Sequence, residues 1–418
     1  MRLPSRPMIA AALSAALLLL LFVRGVLPAL SAIERDFPNY YAAARIVSEH
    51  GDSARLYDDA WFRRQLPRYG IAPEIDGKFS PFPPPTALLL LPLTGLDALN
   101  AQRVLTIINL IALLASVLWL ARLLSWNVAE AAALVLLCGY ALVNAIKFGQ
   151  PYPIVSAACI GGYLAAQRGS SRACGLSLGW FVPIKYYPLV ILAGLLWERP
   201  WRALAMAALA AAVVVGASIM LLGWDIHRQF IDTVMGQHLR GHLTRQSPYS
   251  ASFQSLDALY QRLFVYDERE NPRPWISLPA LASWATPLTK AALLLAVAAC
   301  LRRLRTLPPR VAGAWTIGVL GIAALLLAPA TASYHFVLLW LPLALLLDGL
   351  LRTGQRLGAA ILLGCYVGMG FFPYRFTVPF EGRAGWSALA FPRLWLLLAM
   401  LVVSLWAIPR RLEAAEQR

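Results

Sequence analysis

Charged side chains are scarce in this chain of 418 residues. They make up 14% of it, whereas hydrophobic residues make up 59%, and the mean hydropathy is +0.61. A soluble protein of this length carries more polar surface than that composition supplies. Apolar stretches of about 17 to 25 residues, the length that a bilayer core requires, recur along the whole chain. The scarcity of charge therefore predicts an all-α, polytopic integral membrane protein.

Motifs for nucleotide hydrolysis and for metal-dependent chemistry are missing. The chain has no GxxxxGK[ST] loop, no HExxH motif and no Cys/His spacing of a metal site. We therefore expect no metal and no cofactor, and any driving energy must arrive in a substrate or an ion gradient. The five cysteines form no CxxC pair and lie in apolar stretches, so we expect packing roles for them. They are Cys138, Cys159, Cys174, Cys300 and Cys365.

Acidic residues are fewer than basic ones, with 21 Asp and Glu against 37 Lys and Arg and a net charge of +16. No basic-aromatic motif accompanies this excess, so we expect no nucleic-acid partner. Basic residues in short loops instead indicate the cytoplasmic side of a membrane protein. With both termini cytoplasmic and both long loops outside a cell membrane, the clusters fall on one side. They are Arg2/Arg6, Arg199/Arg202, Arg302-Arg303 with Arg305 and Arg310, Arg352/Arg356 and Arg410-Arg411.

The hydropathy pattern predicts a single integral membrane domain over 1–418 with about twelve transmembrane helices, or as few as ten. The lower count applies if 84–97 and 173–197 re-enter the membrane instead of crossing it. The first apolar run also resembles a signal peptide, but its length favours a retained span. The candidate spans are 8–30, 84–97, 102–124, 128–147, 152–167, 173–197, 203–222, 278–301, 312–328, 334–350, 357–372 and 391–408.

Two long loops interrupt the apolar pattern, and both are expected outside the cell with short helices of their own. The first covers 31–82 and the second covers 223–275. Asp36 lies in the first loop, just after the first span and before the segment Asn39-Tyr40-Tyr41. A carboxylate there can act as a general base towards a lipid-borne substrate. The alternative is that Asp36 caps the helix that follows it; Asp58 and Asp59 are the reserve candidates.

Two lysines interrupt predicted spans, where an ionisable group indicates a functional site by default. Lys185 lies between Pro183 and Pro188, at about 20 Å of helix from either end of its span. It could neutralise a phosphate group, or it could form a structural ion pair with a carboxylate. Lys290 interrupts the span 278–301, where snorkelling towards the surface explains it equally well.

Several other polar residues complete the predicted site. His335 opens a span at its outer end, as a ligand or as an interface residue. Gln150 follows Gly149 and could bind a sugar, or the pair could form a plain turn between helices. The predicted donor-phosphate and substrate-binding residues are Lys185, His335, Lys290, Tyr40, Tyr41, Gln150, Gln254 and His238.

An ordered series of short motifs along nearly the whole chain resembles glycosyltransferase family 87. The motifs are Asp36-Phe37 with Tyr40-Tyr41, Leu56-Tyr57-Asp58, Phe82-Pro83-Pro84-Pro85, Gly149-Gln150, Ile184-Lys185 with Pro188, Phe253-Gln254-Ser255-Leu256, and Ala328-Pro329 with Tyr334-His335-Phe336. The resemblance implies a GT-C bundle with twelve crossings and a polyprenyl-phosphate-mannose donor. It matches Asp36 to the family's loop acid, Lys185 to its lysine and His335 to its histidine. Phe253 stands where many relatives carry Asn.

The predicted activity is therefore inverting transfer of a sugar, mannose by the resemblance, from a polyprenyl phosphate to a hydroxyl of a lipid-linked or cell-envelope glycan. The expected partners are that lipid-linked donor, the glycan or glycolipid acceptor and the bilayer. Two rival interpretations remain open at this point. Intramembrane lysines and broken helices also suit a transporter or lipid flippase, although the chain shows no matching halves. A non-catalytic subunit of an envelope-synthesis assembly is the third possibility.

Overall fold

The computed structural model describes residues 6–239 and 246–408, and this part of the chain is helical. It contains two isolated β-bridges and no strand. The α-helices are Arg6–Leu21, Leu27–Ser31, Phe37–Ser48, Asp59–Gln65, Ala98–Leu124, Val128–Leu136, Tyr140–Lys147, Tyr152–Gln167, Ser171–Gly179, Pro188–Leu195, Trp201–Leu222, Trp224–Gln229, Gly236–Leu239, Leu256–Phe264, Pro279–Leu304, Pro309–Leu327, Trp340–Arg352, Arg356–Phe371 and Pro392–Trp406.

Shorter helical turns connect these helices. The π-helical segments are Phe22–Val26, which interrupts the first span, and Phe230–Met235. The 3₁₀ segments are Ser53–Arg55, Leu66–Tyr69, Pro84–Leu88, Leu91–Leu93, Leu196–Glu198, Ser333–Leu339, Tyr374–Phe376, Val378–Phe380 and Gly385–Ala390. The short helices expected in both long loops are therefore present in their described parts.

Six helices in the described part are long and apolar enough to cross a membrane, which confirms the multi-pass, all-α architecture. They are Pro7–Ser31, Ala98–Leu124, Trp201–Leu222, Pro279–Leu304, Pro309–Leu327 and Ser333–Arg352. Two bent pairs, Val128–Leu136 with Tyr140–Lys147 and Arg356–Phe371 with Tyr374–Phe380, raise the number to eight if each pair is one span. The predicted number of about twelve is not confirmed.

Prolines account for two of the differences between predicted and observed spans. The predicted span 84–97 contains two short 3₁₀ turns in place of a continuous helix. The predicted span 173–197 is broken, because one helix ends at Gly179 and the next begins at Pro188. Proline has no N–H to donate to the preceding turn, so a proline-flanked segment cannot continue an α-helix undisturbed. Lys185 lies in this break.

The chain divides into two compact units. The first comprises Met1–Leu136, Leu142–Leu189 and Pro200–Arg240. The second comprises Leu137–Ala141, Val190–Arg199 and Gly241–Arg418. The organisation predicted as a single domain over 1–418 stays a prediction, and each unit is described below by itself.

In the first unit, the loop 31–82 shares a hydrophobic core with buried residues of 87–105 and 222–234. The helix Phe37–Ser48 is buried along almost its whole length, and it packs on Phe62, Phe79 and other buried loop residues. Elsewhere in this unit, Gly175 and Gly179 lie against the helix Trp201–Leu222 so closely that a Cβ would overlap its backbone. Small residues allow such close helix packing inside membranes.

In the second unit, the helices Pro309–Leu327 and Trp340–Arg352 form a tightly packed pair. Gly318 allows this approach, because a Cβ there would overlap the side chain of Leu346. Trp340 is fully buried at the start of its helix. The described part of the second long loop contributes the helix Leu256–Phe264, which packs against the helix Pro279–Leu304.

Candidate active site

Asp36 occupies the N-cap position of the helix Phe37–Ser48, as the capping interpretation predicted. Its side chain, however, makes no capping hydrogen bond to that helix. The carboxylate instead accepts a hydrogen bond from the Nε2 amide of Gln150, with 2.8 Å between Nε2 and Oδ2. Gln150 is far from Asp36 in the sequence but holds its carboxylate directly, and Asp36 remains partly exposed.

Gln150 reaches Asp36 because its backbone packs tightly against the same helix. Gly149 has a φ of +63°, and a Cβ there would lie 2.7 Å from Cβ of Phe37. Only glycine adopts this conformation at so close a contact without strain. Asn109 holds the backbone from another side, since its Nδ2 donates to the carbonyl of Gln150 over 3.0 Å. The turn alternative for Gly149-Gln150 is therefore correct for the backbone, while the side chain enters the site.

Tyr40 and Lys185 extend this contact into a chain of side-chain hydrogen bonds. The hydroxyl of Tyr40 donates to Oε1 of Gln150 over 2.7 Å. The ammonium of Lys185 donates to the Tyr40 hydroxyl over 3.3 Å. Tyr40 is fully buried and Gln150 is 1% exposed. The three hydrogen bonds connect a positive charge at one end with a carboxylate at the other.

Three aromatic rings surround the ammonium group of Lys185. Its Nζ lies 4.7 Å from the ring centre of Phe82, 4.9 Å from that of Tyr152 and 5.5 Å from that of Tyr40. A cation at these distances is attracted by the ring faces. Lys185 is also attracted electrostatically by Asp36. Lys185 is connected to Asp36 through Tyr40 and Gln150.

The loop 31–82 fixes Phe82 in this aromatic group. The hydroxyl of Tyr57 donates to the Phe82 carbonyl over 2.7 Å, and the Tyr57 ring stacks with Phe230. Burial raises the pKa of Tyr57 far above its ordinary value, so its hydroxyl remains a hydrogen-bond donor at neutral pH. The Phe82 ring in turn lies against Tyr40 and Phe79.

Tyr41 and the reserve acids lie outside this hydrogen-bond chain. The hydroxyl of Tyr41 donates to the carbonyl of Leu96 over 2.6 Å. Asp58 caps its own helix by accepting from the backbone N–H of Trp61. Asp59 is 3% exposed and accepts a hydrogen bond from Ser80. These contacts give all three residues places in the loop scaffold.

In the second unit, Lys290 and Gln254 have close partners within the fold. Lys290 forms an ion pair with Asp257, with 2.6 Å between Nζ and Oδ2, so it does not need to snorkel. The Gln254 amide donates to the carbonyls of Ala251 and Ala390 and accepts from the backbone N–H of Arg393. Its two N–H groups and its oxygen are therefore all engaged by backbone.

His335 also forms a local contact in the second unit. Its Nδ1 accepts a hydrogen bond from the backbone N–H of Ala332 over 3.0 Å, and its ring meets the Tyr334 ring edge-on. His238 lies in the helix Gly236–Leu239, and its side chain is outside the described part of the structure.

Sequence reasoning did not select Tyr152 or Asn109 for the site. Tyr152 follows Gln150 by two residues, within a segment that had been chosen for its glutamine. Asn109 is an amide inside the long apolar helix Ala98–Leu124 and is fully buried. A polar side chain within an apolar span was the available signal for Asn109. Among residues 6–239 and 246–408, no cluster of three or more His, Cys, Asp or Glu could hold a metal ion.

Comparisons with known proteins point to one family. The family model described as Glycosyltransferase family 87 matches residues 81–329, which is more than half of the chain. Gln150 and Lys185 lie within this match, whereas Asp36 and His335 lie outside it. The fold is similar to a crystal structure of ArnT from Cupriavidus metallidurans in the apo state, at 15% sequence identity. That similarity covers 94% of this chain and 76% of the other, with a TM-score of 0.43. No curated protein matches the chain.

Proposed function

The chain belongs to glycosyltransferase family 87, and from that premise we propose its donor, its acceptor and its mechanism. Family membership and the apolar helices together make it a membrane glycosyltransferase, and this supports the enzyme interpretation over the transporter and assembly-subunit interpretations. The proposed reaction moves a mannosyl group from a polyprenyl phosphate to a hydroxyl of a lipid-linked or cell-envelope glycan. A GT-C arrangement of the helices is part of this proposal.

The observation that carries the proposal is the pairing of Asp36 with Lys185 through Gln150 and Tyr40. Transfer from a phosphate-linked sugar needs a group that accepts the proton of the attacking hydroxyl. It also needs positive charge where the phosphate leaves. The site supplies a carboxylate and an ammonium group, and it holds them in fixed positions by side chains that are almost completely buried.

In the proposed step, the acceptor oxygen attacks the anomeric carbon of the donor while its proton passes to the Asp36 carboxylate. The new bond joins that oxygen to the anomeric carbon, and the bond between the anomeric carbon and the phosphate oxygen breaks. The polyprenyl phosphate leaves with the electron pair. Attack from the face opposite the phosphate inverts the anomeric configuration, and the reaction uses no cofactor.

Lys185 is the proposed electrostatic partner of the departing phosphate. Its ammonium group donates one hydrogen bond, to Tyr40, and has two further N–H groups. The surrounding rings of Phe82 and Tyr152 attract it without neutralising its charge.

A transfer assay with purified protein in lipid nanodiscs tests the donor proposal. Radiolabelled polyprenyl-phosphate mannose, a nucleotide-linked mannose and polyprenyl-phosphate glucose would each be offered with a lipid-linked glycan acceptor. We expect transfer from polyprenyl-phosphate mannose alone, and a product linkage with the opposite anomeric configuration to the donor by NMR. Efficient use of the nucleotide-linked sugar, or retained configuration, would contradict the proposal.

The proposed location is a cell membrane with both termini in the cytoplasm and the site on the outer side. Labelling with an impermeant thiol reagent tests this orientation after the five native cysteines, all buried, have been replaced. A single cysteine at the exposed position of Glu74 in the first outer loop should be labelled from outside. One at the exposed position of Arg303 should react only after the membrane is opened. The reverse pattern would overturn the topology.

A further inference from the structure

The three hydrogen bonds of the site all run in one direction. Lys185 donates to Tyr40, Tyr40 donates to Gln150, and Gln150 donates to Asp36. Each donor therefore has its positive end towards the carboxylate, beginning from a full positive charge. Hydrogen bonds aligned in this way polarise and strengthen one another in a medium of low dielectric constant.

We propose that Tyr40 and Gln150 are positioning residues that hold Asp36 as an oriented, charged base by linking it to Lys185. The proposal rests on the proposed function of Asp36 and deepens it. No proton travels along the chain of hydrogen bonds; the proton of the acceptor hydroxyl ends on Asp36. Gln150 bonds Oδ2 of the carboxylate, and the acceptor hydroxyl approaches the carboxylate from its exposed side.

The surroundings of Gln150 give its amide a single useful orientation. Its oxygen accepts from the Tyr40 hydroxyl, and its N–H₂ then faces the carboxylate. A flipped amide would turn its oxygen towards Asp36 and its N–H₂ towards the hydroxyl oxygen that already accepts from Lys185. Because an ionised carboxylate only accepts hydrogen bonds, Asp36 favours the orientation in which the N–H₂ of Gln150 faces it.

The same arrangement couples the leaving-group side of the site to the base. Lys185 is the proposed contact of the departing phosphate and also the first donor of the hydrogen-bond chain. A negative phosphate near Lys185 and a negative carboxylate at the other end both favour its positive charge. When Asp36 has taken the proton, its demand for the Gln150 donor falls.

Other charged and titratable groups around Asp36 must be kept unchanged in the variants whose pH–rate profiles are compared. Tyr152 interacts electrostatically with Asp36, and Glu34, two residues away, forms an ion pair with Lys147 over 3.1 Å. Lys185, Tyr40 and Tyr152 interact with Asp36 or with its hydrogen-bond chain. Glu34 and Arg35 are its neighbours in the sequence, and Lys147 is the partner of Glu34. Substitution of Tyr40 by Phe removes a hydroxyl and introduces no charged group.

Tyr40→Phe is the test variant, because it removes one hydroxyl and keeps the ring against Lys185. We expect about a tenfold loss of kcat, a small change in donor KM and a shift of the acidic limb of the pH–rate profile to higher pH, since the charged carboxylate loses support. Tyr69→Phe is the matched control in the same loop, since its hydroxyl lies near Glu49 and outside the hydrogen-bond chain. It should leave kcat and the pH profile unchanged.

Gln150→Glu is the second variant, chosen so that the result does not depend on Tyr40→Phe alone. The new side chain cannot donate to Asp36 while it is charged, whereas its protonated form can. The activity of this variant relative to wild type should therefore be lowest at neutral pH and recover as the pH falls. Gln150→Met, with no donor in either state, should show no such recovery.

Two outcomes separate this proposal from the assignment of the base. If Asp36→Asn is inactive but Tyr40→Phe and Gln150→Glu keep the wild-type pH profile, the positioning role is wrong and the base stands. If Asp36→Asn itself keeps normal turnover, the proposed function of Asp36 is wrong. Native-like thermal unfolding in nanodiscs is required of each variant, and unfolding of both Tyr40→Phe and Gln150→Glu would show that the hydrogen-bond chain maintains the fold instead.

Discussion

The two units treat their buried polar side chains in different ways. In the first unit, Gln150 and Tyr40 bond to other side chains and link opposite charges. In the second, the Gln254 amide bonds only to backbone groups, and Lys290 is joined directly to Asp257. Both units contain a lysine and a glutamine that were predicted from the sequence to bind the donor phosphate or the substrate.

We interpret this difference as one between the proposed reactive site and a support for the fold. A glutamine whose three positions are filled by backbone holds loops and helix ends together, and a substrate would have to displace those bonds. A lysine with aromatic rings and one hydroxyl around it keeps donors for an incoming anion. We therefore expect substitutions of Lys185 and Gln150 to impair sugar transfer more than stability. Substitutions of Lys290 and Gln254 should impair stability more than sugar transfer.

The largest expected effect is that of Asp36→Asn. The amide keeps the shape of the side chain but cannot accept a proton, so turnover should fall by about 10²–10⁴-fold. Thermal unfolding in nanodiscs should change little, because the carboxylate makes no capping bond. Asp76→Asn is the control, since Asp76 is an exposed acid of the same loop, paired with Arg63 and Lys78. Near-normal transfer by a folded Asn variant would end the assignment.

Lys185→Met and Lys290→Met form a matched pair across the two units. Lys185→Met should weaken donor binding about tenfold or more, because a charged hydrogen bond to phosphate is lost. Its stability should change little, since Asp36 keeps the Gln150 donor. Lys290→Met should bind donor normally but lose about 1–3 kcal/mol of stability, because the almost buried Asp257 loses this charged hydrogen bond. Donor titration and denaturant unfolding of both variants test this comparison. Weakened donor binding in Lys290→Met together with lost stability in Lys185→Met would contradict it.

Gln254→Leu should act on stability alone. The substitution leaves the carbonyls of Ala251 and Ala390 and the N–H of Arg393 without this partner, at a cost of about 2–4 kcal/mol. Once folded, the variant should keep the donor KM of the wild type. A raised donor KM with unchanged unfolding would instead support the prediction that Gln254 binds the substrate.

The smallest expected effect concerns Glu49, in the loop 31–82. The hydrogen bond from Arg45 lowers the pKa of Glu49 below its ordinary value of 4.5. A carboxylate with a lowered pKa in the folded state stabilises the fold above its unfolded pKa, and this contribution is lost as the pH falls. Glu49→Gln should thus lower the Tm slightly at pH 7 and by less near pH 3. An equal difference at both pH values would exclude this ion pair as the cause.

Much of the architecture could be predicted from hydropathy, but the number of spans could not. Long apolar runs predict helices such as Ala98–Leu124 correctly. Prolines at 84, 183 and 188 were visible in the sequence, yet whether such segments kink or break depends on the packing around them. Charge distribution alone could not decide this. It indicates on which side of the membrane each loop lies, but not whether the segment between two loops is a continuous helix.

The site residues show the same limit. Asp36 and Lys185 stand out because charge is rare in apolar surroundings, and the structure brings them together. Tyr40 and Tyr41 are adjacent in the sequence, and only their positions on the helix Phe37–Ser48 direct one hydroxyl to Gln150 and the other to Leu96. For Lys290 and Gln254, the sequence showed polarity but not the partners that satisfy it.

The most direct test of the account is a structure of the protein in nanodiscs with a bound, non-transferable polyprenyl-phosphate sugar. We predict that the phosphate lies within hydrogen-bond distance of Lys185 and that the sugar lies beside the Asp36 carboxylate, with Gln150 still bonded to Asp36. A donor bound with its phosphate away from Lys185 and its sugar out of reach of Asp36 would contradict the account.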